Sequence, residues 1–247
     1  MASKTFGSGF HLPLNAVDQV NQPPLHFLWV QDACILSTGI LWTIAYVLYI
    51  RQGFQDRSYG MPLFALCANI GWEFVYGVVF PISYAETLTF VPWVLIDCGI
   101  IYTTVKFGPE QWKHAPLVAN NLVPILACGT ALGIAGHVAF IKTCSSVVEA
   151  ALYSGFTLQV ILGAASVAQL MSRNNTSGHT WTIWVCRSIG SFLAVVMFSW
   201  RYWHYPADYP AVGSPMTIFI FTCVEIADLT YPFVFASINA NHKNKLQ

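Results

Sequence analysis

Apolar residues run along this chain in blocks of about 20, the length that carries a helix across a bilayer core. The blocks fall near 27–50, 61–82, 88–105, 117–140, 148–171, 181–201 and 215–238. The pattern predicts an all-α, polytopic membrane protein, a bundle of seven transmembrane helices. The block at 88–105 is the shortest and holds Asp97. Proline, glycine and polar residues mark the joints at 51–60, 83–87, 107–116, 142–146, 172–180 and 202–214, and none of these is long enough to form a domain. Residues 1–247 therefore read as one membrane domain. A polar segment at 1–26 precedes the first helix, and a short tail at 239–247 follows the last. The leading segment has no apolar h-region, so no cleavable signal peptide is expected.

Loop lysines and arginines predict the orientation. The joints after the first, third and fifth helices share a side with the C-terminus, and together they carry Arg51, Arg57, Lys106, Lys113, Arg173, Lys243 and Lys245. The opposite side carries Lys4, Lys142 and Arg201. This bias puts 1–26 in the lumen and 239–247 in the cytosol. The chain ends KNKLQ, which is similar to a dilysine retrieval signal of the endoplasmic reticulum, a signal read only on a cytosolic tail. Glycosylation sequons at Asn174 and Asn175 fall on the cytosolic side of this topology and are expected to be chance matches.

Composition narrows the class. Charged residues make up 9% of the chain and hydrophobic residues 55%, whereas a soluble domain carries about 25% charged residues. The mean hydropathy of +0.55 points the same way. Soluble enzyme classes drop out, and a net charge of zero gives no reason to expect a nucleic-acid partner. The seven cysteines are scattered without a CxxC pair, so neither a disulfide framework nor a zinc site is predicted.

The polar residues inside the blocks carry the chemistry. A charged side chain at the centre of a bilayer helix costs about 2.5–3.5 kcal/mol or more, and such residues face the bundle interior. Glu73 lies in the middle of the second block, in NIGWEFVYG. Asn69 and Tyr76, at i−4 and i+3, are predicted to share its face, with Trp72 alongside. The seventh block holds VEIADLTYP, which places Glu225 and Asp228 one turn apart with Tyr231 close behind. Two carboxylic acids this close in a low-dielectric interior cannot both be charged at low cost. Asp97 could reach the same interior. Arg187, a basic residue inside the sixth block, reads as a counter-ion to one of these acids. Asp32 sits near the start of its helix and reads as interfacial. Trp72, Tyr76 and Tyr231 would supply aromatic faces, each of which attracts a cation by about 0.5–2 kcal/mol.

A carboxylic acid in a dry, aromatic-walled cavity can protonate a weak base, and the walls can shield the carbocation that follows. This is the logic of acid-triggered polyene cyclisation. The strings DDxxD and DxDD of soluble cyclases are absent, so magnesium-assisted diphosphate ionisation is not expected. No metal and no cofactor are predicted.

NIGWEFVYG together with DLTYP at 228–232, in a chain with this many apolar blocks, resembles the small membrane-integral terpene cyclases of fungal meroterpenoid and indole-diterpene pathways. The resemblance covers essentially the whole chain. It implies an isomerase- or lyase-type enzyme that protonates the terminal epoxide of a prenyl chain on an aromatic or polyketide head. It also implies a lipophilic epoxidised substrate drawn from membrane lipid, made upstream by a pathway prenyltransferase and an epoxidase. In the family the WE-motif acid and the late aspartate form the catalytic pair, which map onto Glu73 and Asp228. The roles of Asp97, Glu225 and Arg187 do not follow from the resemblance. The rival reading is a small proton-coupled transporter, since buried acids also suit proton transport. A retinal photoreceptor is a weaker reading, because the seventh block has no lysine to form a Schiff base.

Overall fold

Side-chain caps open α-helices at two of the joints between long spans. Ser146 accepts a hydrogen bond from Glu149 N and opens one helix; Thr180 accepts from Ile183 N and opens the next. Both side chains satisfy amides that have no partner in the first turn. The computed structural model describes residues 9–245, with side chains to Ala240. Lys4 and the side chains of the KNKLQ tail lie outside the described residues.

In chain order the elements are α1 (Ala16–Asn21), α2 (Leu25–Asp56), α3 (Leu63–Phe74), α4 (Tyr84–Gln111), α5 (Pro116–Ala119), α6 (Leu122–Ile141), α7 (Val147–Arg173), α8 (Trp181–His204) and α9 (Pro215–Lys245). A π-helical turn over Val75–Val79 continues α3 without a break. Among the described residues six helices are long and apolar enough to cross a membrane, and Leu63–Val79 forms a seventh, shorter apolar helix. The protein is an all-α integral membrane protein. Large apolar residues such as Phe64, Leu132, Trp203 and Phe233 stand exposed on its outer surface, where lipid would cover them.

Two elements differ from the sequence pattern. The short 88–105 block is the core of a 28-residue helix that keeps Pro92 and Pro109 inside it. The fourth block splits, because α5 is a separate turn ahead of α6. Both extensions use polar or proline-containing residues that a hydropathy window discounts.

The packing explains where space remains. Trp93 Nε1 donates to Thr43 Oγ1 at 2.8 Å, Gly39 faces Thr89, and Gly53 faces Thr103. α2 and α4 thus run parallel at a constant offset of 50 residues. α8 runs antiparallel to α2: Trp200 Nε1 donates to Phe27 O at 3.3 Å, Thr38 Oγ1 donates to Gly190 O at 3.1 Å, and Trp42 packs over Gly190. α7 and α9 are parallel, joined by Phe156–Phe221 and by the close approach of Gly163 to Ala227. α3 meets α6 through glycine, and a Cβ added at Gly71 would lie 2.9 Å from the backbone of Gly133 and Ile134. Close glycine-mediated crossings are a common way for helices to pack in lipid, where tails are as apolar as leucine.

Between α7 and α8 the chain folds back tightly. Asn175 Nδ2 donates to Arg173 O, and Asn175 Oδ1 accepts from Ser177 N. Asp56 Oδ2 accepts from Gly178 N, which ties this loop to the end of α2.

Gly71→Leu should break the α3–α6 crossing, at a cost of about 1–3 kcal/mol or more by overpacking. Thermal melting in detergent reads the loss. A melting point equal to wild type would show that the crossing tolerates a side chain.

Candidate active site

α3 sets the first acid in place. Its apolar face packs into the core, and its polar face turns toward α2 and α4. Glu73 is 1% exposed. Tyr46 of α2 donates its hydroxyl proton to Glu73 Oε1 at 2.7 Å. Asn69, one turn earlier on α3, points Nδ2 at Glu73 Oε1 (2.9 Å), at Asp97 Oδ2 of α4 (3.0 Å) and at the Tyr46 hydroxyl (2.8 Å). Four buried polar side chains from three helices thus meet at one point. Glu73 Oε2 and Asp97 Oδ1 accept from no donor group, and the two carboxyl groups lie close enough to hydrogen-bond to each other through a proton on one of them. An unpaired buried oxygen is costly; a proton shared between the two acids relieves that cost.

Glu73 opens onto a cavity with an empty volume of about 1090 Å³, counted out to its mouth. The cavity lies between α2, α3, α4, α7 and α8. Its walls are largely aromatic, with Trp42, Tyr46, Trp72, Phe90, Trp93, Phe156 and Phe198. Trp72 Nε1 donates to Ser154 Oγ at 3.0 Å, and Trp93 is held by Thr43, so both rings are fixed in orientation. Gly155 and Gly190 leave room for Trp72 and Trp42. At the end away from Glu73 the lining turns polar, with Glu86 and Arg201.

Asp228 belongs to a second cluster. Arg187 Nη2 donates to Asp228 Oδ1 at 2.6 Å. Arg187 is 2% exposed and lies against the Tyr231 ring. Trp184 Nε1 donates to the Asp228 carbonyl, and Trp184 stacks on Tyr231. The Tyr231 hydroxyl contacts His179 Nδ1 at 3.1 Å. Burial, with Arg173 and Arg187 nearby, pushes His179 down to about 3, so the ring stays neutral and serves as a hydrogen-bonding partner. Removing one partner of a buried ion pair costs about 3–5 kcal/mol, because the other charge is left stranded.

The residues singled out from the sequence are therefore divided. Glu73, Asn69 and Trp72 line the cavity, and Asp97 stands behind Asn69. Arg187, Asp228 and Tyr231 form the second cluster, outside this cavity's lining. Glu225 is half-buried, takes no part in the Arg187 ion pair and keeps Oε1 unpartnered. Tyr76 does not share the Glu73 face: its hydroxyl accepts from Ser154 Oγ, and its ring packs on Trp72 and His137. The π turn is the reason. It begins directly after Phe74, widens the helix to i→i+5 pairing and rotates position i+3 away from the acid. Asp32 is buried and accepts Leu12 N at 2.7 Å, pinning the leading segment to α2.

Sequence reasoning missed Tyr46, Glu86 and Arg201. The spacing Trp42, Tyr46, Tyr49, Gly53 puts all four on one buried stripe of α2, which was the available signal for Tyr46. Arg201 reads from sequence as a loop charge, but it lies in the last turn of α8 and is 5% exposed. Among the described residues no three His, Cys, Asp or Glu side chains gather as a metal site.

A family profile, that of the Pyr4-like transmembrane terpene cyclases, matches residues 17–241. The chain belongs to this family. The Pyr4-family terpene cyclase mfmH of Annulohypoxylon moriforme is 56% identical over 240 residues, covering 97% of this chain and 99% of the relative. The terpene cyclase macJ of Penicillium terrestre is 33% identical over 90% of this chain and 86% of its own. The terpene cyclase atmB of Aspergillus flavus is 34% identical over 84% and 85%. No solved structure matches the chain. Membership makes the protein a terpene cyclase rather than a transporter, and it implies a lipophilic, prenylated substrate.

In this cyclase, Tyr46→Phe removes one of the two donors to Glu73 Oε1 and leaves the ring in place. A hydrogen bond to a charged group contributes about 1.5–3 kcal/mol, so turnover of a cyclisable prenyl substrate in microsomes should fall about ten- to hundredfold. Unchanged turnover would remove Tyr46 from the site.

Proposed function

We propose that the protein cyclises a prenylated aromatic or polyketide precursor by protonating its terminal epoxide, with Glu73 as the proton donor. The observation that supports this reading is the division of labour within one carboxyl group. Glu73 Oε1 accepts from Tyr46 and Asn69, as the carbonyl oxygen of a neutral acid would. Oε2 accepts from no protein donor and is buried, in a residue that lines the cavity and shares a carboxyl–carboxyl contact with Asp97. A small turn of the Glu73 side chain toward the cavity would present the proton to a bound substrate.

Proton transfer to the epoxide oxygen breaks its bond to the tertiary carbon. Successive alkene π pairs then form carbon–carbon bonds and pass the positive charge along the chain. The last cation loses a proton or is captured by a water or a substrate hydroxyl. When a proton is lost, the net change is an isomerisation. As the carboxylate forms on Glu73, the Tyr46 and Asn69 donors strengthen their bonds to it without moving. The ring faces of Trp42, Trp72, Phe90 and Trp93 offset the charge on the moving cation, and the apolar walls keep water away from it.

Asp228 acts one shell further out in this reading. Its partner Arg187 lies on α8 near Tyr49 of α2, so the pair supports the turn of α2 next to the one that carries Tyr46. Glu73→Gln should accumulate normally in microsomes and lose turnover of an epoxyprenyl aromatic by at least about a thousandfold. Wild-type turnover by Glu73→Gln would sink the assignment. Asp228→Asn should lose both melting temperature and turnover, and the paired Asp228→Leu, Arg187→Met variant should regain both, since an apolar pair can replace a buried ion pair. A folded but inactive double variant would make Asp228 part of the chemistry itself.

The KNKLQ end supports residence in the endoplasmic reticulum. Changing Lys243 and Lys245 to serine should move a tagged protein out of that compartment on microscopy. Retention of both variant and wild type alike would exclude the tail as the address.

A further inference from the structure

The cavity has a second pole. Arg201 lines it at the end where α2, α4 and α7 begin and α8 ends. Its Nε donates to Gln31 Oε1 at 2.7 Å, and Gln31 Nε2 in turn donates to Asp18 Oδ2 at 2.8 Å. Asp18 is buried and capped by Asn15, so the leading segment supports this arginine from behind. Among the described residues no carboxylate lies within salt-bridge distance of Arg201. Glu86 lines the same end, and its Oε2 is buried without a partner. Among the described residues Arg201 makes one hydrogen bond, to Gln31, and does not pair with Glu86, whose buried Oε2 has no partner at all; that is costly unless something else completes it.

α2 measures the distance between the poles. Gln31 holds Arg201 and Tyr46 holds Glu73. Fifteen residues separate Gln31 from Tyr46, which is about 22 Å along the helix. An apolar, aromatic passage joins the two ends. The shape suits a linear amphiphile with its reactive tip deep and its polar end near the bilayer surface.

We propose that Arg201 and Glu86 form the recognition site for the head group of the substrate, and that this head is a ring carrying a free, acidic hydroxyl. The hydroxyl oxygen accepts from the Arg201 guanidinium, and its proton is donated to the Glu86 carboxylate. With the head held there, the distal end of the prenyl chain is delivered to Glu73. The inference rests on the reading of Glu73 as the donor to a chain terminus, and it adds which functional group the other end must carry. It also fixes the direction in which the substrate lies.

Binding of unreactive probes tests it independently of the chemistry. Farnesyl resorcinol and its di-O-methyl ether carry no epoxide and cannot be cyclised by proton transfer to one. Quenching of tryptophan fluorescence in the detergent-solubilised full-length protein reports occupancy, since Trp42, Trp72 and Trp93 line the cavity. Wild type should bind the free resorcinol at least about tenfold more tightly than the ether, the factor expected from one hydrogen bond to a charged group. Arg201→Gln should erase that preference, Arg201→Lys should restore part of it, and Glu73→Gln should keep it. Equal binding of both probes by wild type, binding of neither, or a preference that survives Arg201→Gln would each overturn the proposal. If Arg201→Gln does not accumulate, the wild-type comparison and a reduced preference in Glu86→Gln still decide it. Failure of the donor assignment would show elsewhere, as turnover of an epoxide by Glu73→Gln with the binding preference intact.

Discussion

A polar atom buried in hydrocarbon must find a partner inside the protein, because lipid offers none. The Glu73, Tyr46, Asn69 and Asp97 cluster answers that constraint with side chains from three helices. Their mutual bonds fix how α2, α3 and α4 sit against one another at this depth. The same bonds leave Oε2 of Glu73, in a residue that lines the cavity, without a donor. On the proposed role of Glu73, stability and reactivity are set by the same group: a fully satisfied carboxyl would have nothing to offer a substrate, and an unsupported one could not be held there.

The Arg187–Asp228 pair applies the same rule differently. Both charges are buried, and the aromatic rings of Trp184 and Tyr231 enclose them. This cluster ties α8 to α9 and approaches α2 at Tyr49. The cavity is left to helices whose contacts run through glycine and threonine, at Gly39, Thr43, Gly155 and Gly190. Small residues at the seams let large rings turn inward without forcing the helices apart.

Much of this was legible in the sequence, and what was missed had physical causes. Blocks of apolar residues show the helices because the bilayer imposes a length. Glu73 and Asp97 stand out because charge is rare at that depth. Tyr46 is hidden, since a tyrosine among apolar residues looks like packing until its hydroxyl has a partner. Arg201 is hidden for another reason: it lies at a helix end, where an arginine ordinarily reaches water. Tyr76 was misplaced because 3.6-residue periodicity was assumed through a segment that follows π geometry. The association of Asp228 with Arg187 rather than with Glu225 depends on the rotation of α8, which periodicity within α9 alone cannot show.

The constant offset of 50 between α2 and α4 gives the chamber a graduated wall. Any height in it can be read on either helix, from the Gly39–Thr89 level up to Thr43–Trp93 and on to the acid cluster. A bulkier or smaller side chain at one rung alters the bore there and leaves the rungs above and below in register. Related chains could thus be fitted to longer or shorter prenyl tails, or to different folds of the same tail, by changing single rungs while the Glu73 cluster stays where it is.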